Sequence, residues 1–273
     1  MSYRIVAAVA FAGLLAPQVA PARPSASHAS QSASADVAQT PQTQRERDEL
    51  QARILMATKR YKEAVGVYAK LGAEYPKSAT YPNFAGIARM QLGDFDGARK
   101  NFELATKLDK TFSDAFNNLG TVWFVRKDYK RALRQYQKAI SLRPNVAGYY
   151  TNVGYAYLKQ QRLTQAMQAF QSAIKLDPSV FQENNRNGTV MQQQAISDRG
   201  QFDFLLAKGY AQNGDAAQCA VYLRKAFEEG YKDAVKARRD PAFAGVLTDP
   251  NVKEVLDRIS PPDGKAPPAA PNS

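Results

Sequence analysis

Few residues in this chain have the chemistry for catalysis, and their spacing keeps them apart. The 273 residues hold one His, His28, in a stretch of small polar residues with no metal-binding or catalytic neighbours. Without a His in the folded part, a His-dependent nucleophile and a His-ligated metal are excluded. The one Cys, Cys219, cannot form an intramolecular disulfide or a thiolate cluster. Neither a G-x-x-x-x-G-K-[ST] phosphate loop nor a G-x-G-x-x-G turn occurs. Adjacent carboxylates such as Glu228-Glu229 point in different directions on a helix and read as a solvated face. No catalytic residue, metal site or cofactor is expected. The chemistry that remains is binding.

Two groups of residues could bind. Asn118 and Asn152 recur 34 residues apart, just before Leu119-Gly120 and Val153-Gly154. An amide offers a donor and an acceptor, so a ladder of amides can hold a peptide backbone without reading its side chains. The alternative is that each amide satisfies a neighbouring loop. Lys127, Arg131, Arg134 and Lys138 fall at i, i+4, i+7 and i+11 and form a basic stripe on one helix. Aromatic residues are not interleaved with it, so nucleic acid is not expected. The stripe reads as a solvated face or as a seat for an anionic partner.

The elements that position these residues repeat. From Ser113 to Pro178 the chain holds two near-copies of one pattern: Gly120 answers to Gly154, Ala132 to Ala166, Tyr136 to Phe170, Ala139 to Ala173 and Pro144 to Pro178, each pair 34 residues apart. Phe116, Leu119, Gly120 and Trp123 share one face of a helix. Arg126-Lys127-Asp128 is a polar break, and a second helix carries Tyr129, Ala132, Tyr136 and Ala139 on one face. Pro144 stops it, because proline lacks the amide donor. Gly120 and Ala132 are small where two helices cross, and Tyr136 is large where a gap between repeats needs filling. One such hairpin cannot bury its apolar face alone and must stack on neighbours.

A helix-hairpin period of 34 residues resembles the tetratricopeptide repeat (TPR) family over about residues 45–233. The resemblance implies an all-α fold, a right-handed α-solenoid of about five hairpins. It also implies that the first helices line a concave groove where extended peptides bind. In this register the groove residues are Asn83, Ile87, Asn117, Asn118, Thr121, Phe124, Thr151, Asn152, Tyr155 and Leu158. Some members of the family use such an asparagine ladder. Another subgroup clamps a carboxylate with basic residues, but the matching places hold Glu49, Arg53, Phe84, Asp114 and Asn118, so that clamp is not implied. The basic stripe would lie on the convex side.

Residues 1–22 read as a secretory signal: Arg4, then an apolar or small run from Ile5 to Ala16, then Ala20-Pro21-Ala22. An uncleaved anchor and a mitochondrial presequence are the rival readings. The mature protein is therefore expected in a periplasm or outside the cell. Residues 23–44 are rich in small polar residues and read as a flexible linker. Four repeats are expected over 45–180. In the first, Asp48 stands where an aromatic is expected, as suits a terminal repeat facing water. In the second, Arg89 replaces the large apolar residue found at Trp123. Lys110 replaces the closing proline, so the helix before it is expected to run on. A polar insertion over 181–199, with a short helix around Met191 to Ile196, is either a surface loop or a partner-binding lid. A fifth unit follows at 200–233, with Cys219 packed and unreactive. Two capping helices opened by Asp240-Pro241 and Asp249-Pro250 are expected over 234–259, and a disordered tail over 260–273.

The net charge of +12 gathers in the first half: residues 113–146 carry seven basic and two acidic residues, whereas residues 200–233 carry four and five. Such a field draws anionic partners. The sequence thus points to a non-enzymatic module binding a protein or peptide in its groove. The alternative is a cell-envelope factor holding an anionic wall or membrane component, and an accessory role in a secretion or polymer-export complex is a third.

Overall fold

A computed structural model describes residues 41–182 and 198–259. The expected signal, most of the linker, the tail, and the helix around Met191 to Ile196 lie outside the described residues. The order is α1 (Pro41–Ala57), α2 (Tyr61–Glu74), α3 (Thr80–Gln91), α4 (Phe95–Leu108), α5 (Ser113–Val125), α6 (Tyr129–Leu142), α7 (Ala147–Leu158), α8 (Leu163–Leu176), α9 (Arg199–Gln212) and α10 (Ala216–Glu228). Two 3-10 segments, Lys232–Arg239 and Pro241–Val246, and α11 (Pro250–Ile259) complete it. Consecutive helices pair as five hairpins, α1/α2 to α9/α10, each stacked on the next.

Each of the three central hairpins closes because a side chain is missing. A Cβ on Gly86 would lie 2.6 Å from the Phe102 ring, one on Gly120 2.5 Å from Tyr136, and one on Gly154 closer still to Phe170. The large ring of the second helix therefore sits on the glycine of its own hairpin. The expectation that Tyr136 fills a gap between repeats is corrected in this respect: the gap lies first within the repeat.

The turns are equally periodic. Lys59, Gly93, Lys127 and Gln161 have φ of 60°, 75°, 62° and 58°, and Gly214 has 77° in the fifth hairpin. At each, the amide of the next residue bonds back to a carbonyl of the preceding helix, as in Arg60 N to Leu55 O (2.8 Å) and Asp128 N to Trp123 O (2.9 Å). The following helix then starts on an aspartate where the sequence offers one. Asp94, Asp128 and Asp215 accept from the amides of Gly97, Arg131 and Gln218. Arg89, in the place of Trp123, reaches the Asp94 carboxylate at 2.6 Å and anchors that cap.

Several boundaries differ from the sequence reading. Helix α4 does not run on past Lys110. Asp109 Oδ1 accepts from Thr111 N and Thr111 Oγ1, both at 2.7 Å, and this turn ends the helix without proline. Helix α1 takes in Pro41–Ala57, so the last residues of the expected linker are helical, and Gln44 donates to Asp48. Asp48 does not face water: it is 6% exposed and paired with Lys70 at 2.7 Å. The outer face of α1 instead carries Arg47 and Gln51, exposed at places where Tyr81 and Ala85 are buried in the next repeat. Both ends of the expected insertion belong to the fold. Phe181 packs edge-on against Phe170 at 5.5 Å, and Asp198 caps α9 through Gln201 N. Beyond α10 the cap has three pieces rather than two, since Lys232–Arg239 forms a 3-10 segment of its own.

The core falls into two main clusters. One runs from Ala52 to Val122 and the other from Phe124 to Ile259, and Trp123 packs against both. At the C-terminal end Phe243 is fully buried against Phe204, with ring centroids 5.6 Å apart. Val252, Val255, Leu256 and Ile259 close the end of the stack. Cys219 is fully buried, and burial pushes its thiol up to about 12, as expected for an inert packing residue.

The packing makes the glycine contacts testable. Gly154→Ala should cost about 1–3 kcal/mol of unfolding free energy through overpacking. Gly66→Ala, with no atom within 4 Å of the new Cβ, should be neutral or stabilise by up to about 1 kcal/mol. Equal effects in urea unfolding would remove the close approach as the cause.

A second prediction concerns Asp203 on α9. Burial raises its carboxyl from 3.8 to about 6, against the opposing pull of Lys225 and Arg199. The folded state therefore binds the proton more tightly than the unfolded chain. Its contribution is full below 3.8 and is lost as pH rises toward 6. The melting temperature should fall across that window more steeply in the wild type than in Asp203→Asn, and superimposable profiles would exclude Asp203 as the source.

Candidate functional site

The first helices of successive hairpins lie side by side and bring four of the expected binding residues together. Asn118 Nδ2 on α5 donates to Asn83 Oδ1 on α3 at 3.0 Å, and Asn152 Nδ2 on α7 donates to Asn117 Oδ1 on α5 at 2.8 Å. The partners are 35 residues apart, one more than the repeat. Each amide pair thus ties two repeats together. Asn83 and Asn152 are each 3% exposed, while Asn117 and Asn118 are half-buried. Each donating amide keeps a second N–H, and Asn152 Oδ1 is buried without a hydrogen-bond partner. Such an acceptor is costly to leave unmet. Thr121 is half-buried one turn beyond Asn117, whose carbonyl its hydroxyl reaches at 3.3 Å.

Phe124, Tyr155 and Leu158 are as enclosed as Asn83 and Asn152, and of the expected groove residues only Asn117, Asn118 and Thr121 present surface. They are 4%, 1% and 7% exposed. The Tyr155 ring forms a three-ring cluster with Phe170 and Phe202, with centroids 5.4 and 5.5 Å away. Phe124 packs edge-on against Tyr129 at 5.4 Å. The expectation that these three meet a partner directly is corrected: α9 sets Phe202 beside α7, and the three rank among the core. Ile87 and Thr151 are buried as well.

Sequence reasoning missed two tyrosines that bridge repeats. Tyr81 OH donates to Glu49 Oε1 at 2.5 Å and accepts from Arg45 Nε at 2.7 Å. Tyr149 OH donates to the Asp114 carboxylate, beside Ser113 Oγ at 3.0 Å. Burial, with the adjacent Glu49 carboxylate, pushes the Tyr81 phenol up to about 12, and burial raises Tyr149 likewise. The two stand two repeats apart, a spacing that could have flagged them.

The basic stripe differs from its sequence reading. Lys127 sits in the turn before α6, not on the helix. Aromatic rings do lie beneath it. The Arg131 guanidinium is 4.5 Å from the Trp123 centroid, and Lys138 Nζ is 5.9 Å from that of Phe116. Arg131 also pairs with Asp128 at 3.3 Å. These contacts use part of the cations for packing. Arg134 is exposed on the same helix. Among the described residues, no group of three His, Cys, Asp or Glu could hold a metal, and no helix is long and apolar enough to cross a membrane.

Comparison with known proteins bears on the repeats. A model described as tetratricopeptide repeat matches residues 85–147 and 126–180, and a second of the same description matches 50–78. No curated protein gives a significant match. Among solved structures, MamA from Desulfovibrio magneticus RS-1 is 20% identical, covering 68% of this chain and 94% of its own, with a TM-score of 0.49. YrrB, described as a TPR protein with an unusual peptide-binding site, is 20% identical over 69% of this chain and 89% of its own, with a TM-score of 0.45. TTC0263, a TPR protein of Thermus thermophilus, is 16% identical over 74% and 99%, with a TM-score of 0.48. The matched segments fall on the first four hairpins, and over residues 50–78 and 85–180 the chain carries tetratricopeptide repeats.

Proposed function

We propose that this protein is a non-enzymatic scaffold that holds an extended segment of a protein or peptide along the face formed by α3, α5 and α7. The observation that carries the reading is the half-buried pair Asn117 and Asn118, each fixed by a cross-repeat amide bond and each keeping an amide N–H beyond that bond. A peptide backbone supplies an N–H and a C=O at nearly every residue, so amides in a row can hold it with little regard to sequence. Pairing between repeats also fixes the amides in place before a partner arrives, which lowers the ordering cost of binding. The reading includes export: residues 1–22 act as the signal, and the partner is met outside the cytoplasm.

Tyr155 is enclosed and unsuitable for a probe, whereas Asn117 is half-buried at the amide face. A photo-crosslinking residue at position 117 should give a discrete protein adduct in cells. Adding Asn118→Arg should abolish it, with the helical circular dichroism unchanged. Adducts that survive Asn118→Arg, or that form only from position 134 on α6, would overturn the reading.

A further inference from the structure

The inner row of residues does not stop at α7. In the fifth hairpin Phe204 and Lys208 take the register places that Asn117 and Thr121 hold in the third, once the 19 extra residues of 181–199 are allowed for. The amides give way there to a packed apolar spot, with Phe204 6% exposed. Beside it opens a cleft of about 280 Å³, whose lining joins Leu163 and Met167 of α8, Phe204 and Leu205 of α9, and Tyr231 to five polar or charged residues. The Phe204 and Tyr231 rings stand 5.2 Å apart. The first 3-10 segment and the residue after it complete the rim, which is why the repeat pattern alone did not show the cleft.

Size and charge limit what the cleft can take. Its volume is several times the ~30 Å³ share of one water and lies just under the roughly 300 Å³ where small-molecule and cofactor pockets begin. One bulky side chain suits it. The lysines at the rim are already paired: Lys208 Nζ lies 2.8 Å from Asp240, and Lys236 Nζ 2.6 Å from Asp233. A free anion would have to compete with these carboxylates, whereas a neutral apolar group would not. Met167, half-buried in the lining, is an adaptable side chain that favours aromatic neighbours.

We propose that this cleft binds one bulky apolar side chain, aromatic or long aliphatic, from the segment held by the amide face. The proposal rests on the function proposed above. It adds a point of sequence selection to a face that otherwise grips backbone.

The cleft can be tested without knowing the partner. The full chain, labelled at its methionine methyls, is titrated with N-acetyl-L-tryptophanamide and, separately, with N-acetylglycinamide. The Met167 signal is identified by its loss in Met167→Leu. It should shift saturably with the indole probe, with a dissociation constant on the order of 1–10 mM, and stay still with the glycine probe. Thr164→Trp places a side chain across the mouth from an exposed lining position. It should weaken the probe at least tenfold while the Met56 and Met90 signals stay in place. Lys236→Ala should leave binding within twofold. An absent or unsaturable Met167 shift, equal shifts from both probes, or undiminished binding in Thr164→Trp would each overturn the proposal. Saturable probe binding without a crosslink from position 117 would uphold the cleft and remove the amide-face reading. The reverse result would remove the cleft alone.

Discussion

The stack depends on ring atoms lying where a Cβ would otherwise be. In three successive hairpins a glycine of the first helix receives the edge of Phe102, Tyr136 or Phe170 from the second. That contact sets how near the two helices stand. Their spacing decides which residues of the first helix reach the next repeat, and hence whether Asn118 can meet Asn83 and Asn152 can meet Asn117. The hydrogen bonds of the amide face are therefore downstream of a steric fit made on another side of the same helix. The turns serve the same end. A left-handed residue at one fixed place, followed by an aspartate cap in three of the five hairpins, reverses the chain in the same way each time.

Much of this was legible in the sequence because it is periodic. Gly120 against Tyr136 and Gly154 against Phe170 recur at fixed spacing, and a recurrence of small against large has few physical meanings in a helical chain. What was not legible depends on contacts outside the period. Tyr155 sits where inner-face residues usually stand, yet Phe202, reached only across residues 181–199, closes over it. The amide pairing was hidden by one residue of stagger: the 34-residue period aligns Asn118 with Asn152, while the bonds join residues 35 apart. The capping segment has no repeat pattern, so its part in the cleft at α9 could not be read from spacing. Lys110 misled for a different reason. Proline is one way to stop a helix, and Asp109, with its side chain bonded two residues ahead, is another.

The two ends of the stack are finished differently. At the N-terminal end polar residues replace the stacking face of α1, with Arg47 and Gln51 exposed and Leu50 and Ile54 about half so. At the C-terminal end the chain folds back: Phe243 goes under, Asp240 meets Lys208, and α11 lays its apolar side on α10. The first solution changes side chains and the second adds backbone. The second also creates concave surface, since a segment laid across a helix leaves a recess at its edge.

The division of the core at Trp123 has a consequence for how the molecule comes apart. Stacked repeats share stability only with their neighbours, and here Trp123 is packed against both an N-terminal and a C-terminal cluster. Cooperativity should be strong within each block and weaker between them. Hydrogen exchange would then resolve two protection classes with a step near α5, and the lone indole, standing at that step, would report on both blocks by its fluorescence.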